Sequence, residues 1–199
     1  MAQSNRQFVK FVRQHLAEYG MKLIIGRGKH VNTDGFRCSG YFDESGKAIA
    51  VARKSNEFMQ VLVHEYCHFL QYINSSKIYN KCYEASIIVD AWLKGKNYPL
   101  KKVKRAFFLV RAMERDCEKR AMKIIKDFNL AINSKMYAKR AHVYIYSHFL
   151  MEKTRKFHSY KRNPYYSKYV LKIMPSNMAV LSHKTIPPKI YSVLESFTI

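Results

Sequence analysis

Residues 57–73 read EFMQVLVHEYCHFLQYI. Apolar side chains occupy nearly every side of a helix drawn through this stretch, which predicts a central, buried helix rather than a surface one. Ser55 or Asn56 is placed to cap it, with Glu57 in its first turn. Inside the run, His64-Glu65-Tyr66-Cys67-His68 forms an H-E-x-x-H sequence. Residues four apart lie on one helix face, one turn from each other. Two imidazoles so placed can bind a single Zn²⁺ at N–Zn distances of about 2.0–2.1 Å. Glu65 follows the first histidine and points beside the metal, where a carboxylate can take a proton from water. A buried, charged Glu65 between two histidines needs compensation, which a cation supplies. The competing reading is two partly buried histidines paired with local groups.

Outward from this helix, the pattern alternates between short strands and longer helices. Residues 5–19 place Phe8, Phe11, Val12, Leu16 and Tyr19 at helical spacing, and Gly20 ends the run. Residues 21–26 (MKLIIG) and 47–53 (KAIAVAR) read as strands, with a turn-rich stretch at 29–46 between them. Helices are expected at 79–94, 100–128 and 135–152, the first broken by Asn97 and Pro99. After Lys153 the pattern weakens, and Pro164, Pro175, Pro187 and Pro188 predict a mostly extended tail with a few short elements. The fold class is therefore α+β, with a small sheet near the front and a helical second half. The expected organisation is a main domain over 1–155 and a basic, aromatic-rich extension over 156–199, packing on that domain or trailing from it.

A strand followed by a helix carrying HEYCH resembles the zincin fold of zinc metallopeptidases. The metzincin branch would need a histidine at position 74 and a glycine at 71, where the chain has Asn74 and Gln71. The gluzincin branch takes its third ligand from a glutamate on a later helix. That resemblance implies Glu118 as the ligand, since Glu118-Lys-Arg-Ala121 follows the gluzincin habit of Glu-x-x-Ala. Glu114 is then an alternative ligand, or a group that orients a ligating histidine or faces Arg111. Glu84 and Asp90 are further candidates. Glu114 and Glu118 are like charges four residues apart, which repel on a helix, and both flank the apolar stripe of Phe107, Val110, Cys117, Ala121 and Ile125. A buried cation would explain them; ordinary surface glutamates beside Arg111 and Arg115 are the plainer account. HEYCHFLQ with the later glutamate helix also resembles small metallopeptidase-like proteins of bacteriophages, over roughly residues 20–155.

By this analogy the expected chemistry is zinc-dependent hydrolysis of a peptide bond in a protein or peptide substrate, one Zn²⁺ per chain, with Glu65 as general base. A side-chain donor to the developing oxyanion is expected on the helix over 135–152, with His142 and Tyr146 the named candidates beside Tyr144 and His148. The strand at 47–53 is expected at the sheet edge, where an extended substrate adds as a further strand. A hydrolase with a non-peptide substrate is a third reading, since fold does not fix substrate.

Composition supplies a second theme. The chain has 199 residues, 48% apolar and 25% charged, enough for a globular core and unlike a disordered chain. Thirty-six Lys and Arg against fourteen Asp and Glu give +22. The excess is +4 over residues 1–93, +10 over 94–152 and +8 over 153–199. Such a field attracts polyanions. In the last stretch, aromatics interleave with cations around Phe157, Tyr160, Lys161, Arg162, Tyr165, Tyr166, Lys168 and Tyr169, a pattern suited to stacking on unpaired bases. Lys161, Arg162 and Lys168 are the candidate nucleic-acid contacts. The alternative function is thus a basic nucleic-acid-associated or virion protein on a zincin scaffold without peptidase activity. No apolar run approaches the roughly 20 residues of a membrane helix, so no membrane partner is expected. The polar N-terminus lacks the pattern of a secretory signal and the four cysteines form no C-x-x-C pair, which together predict free thiols in the cytoplasm of a cell, or of a host cell or virion for a phage protein. Oligomeric state is not legible.

Overall fold

The computed structural model describes residues 3–33, 36–55, 57–156, 158 and 162–197. Asn56, Phe157, Tyr160 and Lys161, named above as a cap, as interleaved aromatics and as a nucleic-acid contact, lie outside the described residues. Seven α-helices and a small mixed sheet are present among the described residues, so the fold is α+β. The chain divides into two compact units, one of residues 1–75 and 120–132, the other of residues 76–119 and 133–199.

The first unit opens with α1 (Gln3–Glu18). Its inner face of Phe8, Val12 and Leu16 is fully buried, and the helix ends at Gly20, whose φ of +68° favours a residue without Cβ. Next come β1 (Lys22–Gly26), β2 (Val31–Thr33), β3 (Phe36–Cys38), β4 (Gly40–Asp43) and β5 (Ala48–Ala52). β2 and β3 form a separate antiparallel pair, so the stretch read as turns at 29–46 holds three short strands. In the three-stranded sheet the order is β1-β5-β4. β5 runs parallel to β1, pairing Leu23 with Ile49, and antiparallel to β4, pairing Phe42 with Ile49.

The expected edge position of the strand at 47–53 is therefore corrected: β5 is central, hydrogen-bonded on both sides and buried at all five residues. Its run of Ala48, Ile49, Ala50, Val51 and Ala52 is apolar on both faces, which is the pattern of a covered central strand. The edges are β1 and β4.

α2 (Phe58–Ile73) packs on β4 and β5. Glu57 occupies its N-cap position and makes no side-chain cap; its N–H instead donates to Ser55 Oγ at 3.3 Å. Gly40 lets the helix come close to the sheet: a Cβ there would lie 2.5 Å from Val61 Cγ1 and 3.0 Å from the Ala50 carbonyl oxygen. Aromatic rings seal the unit, with Phe8 edge-on to Tyr66 at 5.7 Å and to Phe128 at 5.0 Å. His15 Nδ1 lies 2.7 Å from the Tyr66 hydroxyl, and Asn5 Oδ1 accepts from the Ala131 N–H at 3.0 Å.

The second unit holds α3 (Lys77–Leu93), α4 (Leu100–Asp127) as far as residue 119, and α5 (Ser134–Thr154). Its first core joins Ala85, Val89 and Trp92 to Val103, Phe107 and Val110. Arg155, at φ 58°, closes α5: its guanidinium stacks 3.5 Å from the Trp92 ring and donates to the Gly95 carbonyl. Beyond it the mostly extended tail expected from the prolines is not found. A 3₁₀ turn (Pro164–Tyr166), α6 (Lys168–Ile173), a second 3₁₀ turn (Met178–Val180) and α7 (Pro188–Glu195) follow. Pro164 and Pro188 start helical turns instead of breaking them, because the first helical position needs no N–H and suits a fixed φ. Val170, Leu171, Met174, Leu181, Ile190 and Leu194 bury these elements against α5.

Candidate metal centre

The centre is built first by α2. Its apolar residues turn Leu62, Val63, Cys67 and Phe69 into the core, and the same burial carries Glu65, His68 and Gln71 inside. Helical spacing brings the Nε2 atoms of His64 and His68 to 3.1 Å from each other, with the rings near perpendicular. Two nitrogens on one tetrahedral Zn²⁺ lie about 3.3 Å apart, so the pair stands close to chelating geometry. His68 Nδ1 lies 2.9 Å from Gln71 Oε1, within a buried contact. An amide oxygen there accepts a hydrogen bond from the Nδ1–H, which leaves the Nε2 lone pair of His68 available as a ligand.

Glu65 is buried on the same helix. Its carboxylate acts on Cys38 at the end of β3: burial first, and the Glu65 charge second, push the Cys38 thiol up from its ordinary value. Cys38 is thus a thiol rather than a thiolate. Tyr66, pointing the other way, is bonded to His15, and burial pushes its phenol well up.

A set of four potential ligands emerges: His64, His68, Glu114 and Cys117 each offer one donor atom, and these atoms all lie within 4.8 Å of one another. Three of the four residues are buried. Two imidazoles, a carboxylate and a thiol are a donor set suited to Zn²⁺. Glu114 and Cys117 are three apart on α4 and so share a face, which explains how one helix offers both. The sequence alone predicts a free thiol at Cys117, because a lone cysteine without a C-x-x-C partner gives no local signal of ligation. Burial and the neighbouring Glu114 carboxylate push the Cys82 thiol up to about 12, so Cys82 remains a thiol and donates to the Leu109 carbonyl at 3.0 Å.

Glu118 stands outside that set of four. Its Oε2 accepts a hydrogen bond of 2.5 Å from the Tyr137 hydroxyl in a buried contact. Arg111 pairs with Glu152 at 2.7 Å and donates to the His183 carbonyl, while Arg115 donates to the Leu181 carbonyl. His142 is fully buried: Nδ1 donates to the Ala138 carbonyl at 2.8 Å, and Nε2 has no hydrogen-bond partner among the described residues. Burial holds its pKa below the usual value. Tyr146 lies in the core of α5 to α7, with its phenol pushed up by burial and bonded to the backbone of Ser182. Arg162 and Lys168 are exposed.

No protein-family model, curated protein or solved structure matches this chain.

Proposed function

We propose that this chain is a zinc-dependent peptidase in which His64 and His68 hold the metal and Glu65 is the general base. The observation that carries the reading is the pair of Nε2 atoms 3.1 Å apart with His68 held from behind by Gln71. A lone surface histidine pair has no need of a buried amide fixing one tautomer. Bound zinc supplies Lewis acidity, which polarises a carbonyl and makes water acidic near neutral pH. The protein's own part is then specific. Gln71 keeps the lone pair of His68 aimed outward. Glu65, one residue past His64, accepts the proton that water loses and delivers it to the departing amine. Glu114 supplies a third, anionic donor. The edge strand β4, beside α2, is the place where an extended peptide can add to the sheet.

Replacing Glu65 by Gln keeps the shape and the metal and removes the base. The expected outcome is an unchanged zinc content with hydrolysis of a casein or peptide-library substrate reduced by about 100- to 10,000-fold. Equal hydrolysis by the variant would contradict the assignment.

Cys117 favours a second reading. Catalytic zinc sites keep a position open, whereas four protein ligands close the site and make it structural. If Cys117 ligates together with His64, His68 and Glu114, the metal stabilises the fold and hydrolyses nothing. Cys117→Ser separates the two: a peptidase retains its zinc and its activity, while a closed structural site loses most of its metal affinity.

A further inference from the structure

One face of the second unit has no part in the metal chemistry. From residue 128 to residue 194 the chain carries twelve Lys and Arg and a single acidic residue, Glu152, which is paired with Arg111. On α6, Val170 and Leu171 are buried, as is Met174 just after it, and Lys168, Tyr169 and Lys172 occupy the opposite, exposed side. Tyr166, just before α6, is exposed as well. Half of the Tyr166 surface and 62% of that of Tyr169 remain open to solvent. Arg140 of α5 sets its guanidinium 5.7 Å from the Tyr166 ring.

Hydrogen bonds fix the backbone of this face. Lys139 of α5 donates to the Leu171 carbonyl at 2.6 Å, tying α6 down. Ser167 Oγ caps α6 by accepting from the Val170 N–H, and Asn163 Oδ1 accepts from the Tyr165 N–H. Two large aromatic rings are thus held at the surface, three residues apart, among cations and without a carboxylate nearby in sequence. A surface shaped only for solubility would carry the lysines without the rings.

We propose that this face, Arg140, Tyr166, Lys168, Tyr169 and Lys172, binds single-stranded nucleic acid. The cations meet phosphates, and the two tyrosines stack on unpaired bases, which duplex DNA keeps hidden. The site is independent of the proposed peptidase chemistry.

The test is fluorescence anisotropy of the full chain with a short fluorescein-labelled oligothymidylate, over a series of salt concentrations. The same measurement on a duplex of equal length, and co-sedimentation with phosphatidylserine vesicles, run alongside. Expected is binding to the single strand that weakens linearly with the logarithm of salt and exceeds binding to the duplex. Tyr166→Ala with Tyr169→Ala should weaken it by about 10-fold or more at every salt concentration, leaving the slope unchanged. Lys168→Ala with Lys172→Ala should lower the slope by about 1.4. All four side chains are exposed, and an unchanged circular dichroism melt checks that the variants fold. Equal affinity for duplex and single strand with no effect of the tyrosines would overturn the proposal, as would binding to the vesicles alone or to none of the three.

Discussion

The side-chain amide of Gln71 does for His68 what a carboxylate or backbone carbonyl does for many metal-binding histidines: it fixes which nitrogen carries the proton. Gln71 is fully buried, so its position is set by packing and not by solvent. Gln71→Leu keeps the volume and removes the acceptor. Its expected effect is a zinc affinity lower by about 10- to 100-fold with the fold retained, measured by competition with a chromophoric chelator. Unchanged affinity would mean that His68 is oriented by something else. At this scale the sequence was most informative where chemistry is local. The i,i+4 histidines are one turn apart in any helix, so His64 and His68 meet in the structure as the spacing requires. The partners from α4 were less legible. Helical periodicity puts Glu114 and Glu118 on one stripe and Glu114 and Cys117 on one face, and only tertiary packing decides which of them shares a set with the histidines. The gluzincin resemblance pointed to Glu118; the clustered donors are those of Glu114 and Cys117, and Glu118 is engaged by Tyr137.

Among the elements, the tight seating of α2 on β4 is the most demanding. Gly40 is required there by space and not by an unusual φ. Gly40→Ala would press a methyl group against Val61 and the Ala50 carbonyl oxygen, with the backbone atom unable to yield freely. The variant should lose about 1–3 kcal/mol of stability, read as a lower midpoint in urea with an unchanged slope. No loss would show that α2 has room to move from the sheet. Helices were legible in the sequence because their apolar stripes are long: α1, α3, α4 and α5 fall within a few residues of their expected bounds. β1 and β5 were legible too, and the fully buried composition of β5 marks a central strand more strongly than its proximity to the motif marks an edge. The short strands β2 to β4 were hidden in a segment rich in turn residues, since three or four residues carry too little periodicity to separate a strand from a loop. α6 and α7 were hidden for the opposite reason, because Pro164 and Pro188 look like breakers unless they fall at a helix start.

For the molecule as a whole, protonation of histidines sets the expected response to acid. Burial holds His158 down to about 4 and pushes His142 and His183 below their ordinary value, with the positive charges of Arg115 and Lys184 adding to the effect at His183. In the unfolded chain these imidazoles take up protons below about pH 6.5. The unfolded state therefore binds more protons in this range, and stability falls as pH drops from about 6.5 toward 4. Above about 6.5 this contribution is fully present. The melting temperature of the metal-free protein should fall steadily over that window at constant ionic strength, and His158→Gln should make the decline shallower. A melting temperature that holds level or rises on acidification would contradict the burial of these groups. Among the described residues no helix is long and apolar enough to cross a membrane. The net charge of +22 adds self-repulsion that salt relieves, so the same melts should move upward with added salt.

The central claim is that α2 carries a metal. Elemental analysis of protein purified without chelator or added metal, with His68→Ala prepared in parallel, tests it most directly. About one zinc per chain in the parent, lost in the variant while the fold persists, is the predicted result. A folded parent protein without zinc that also declines to take up added zinc would contradict it.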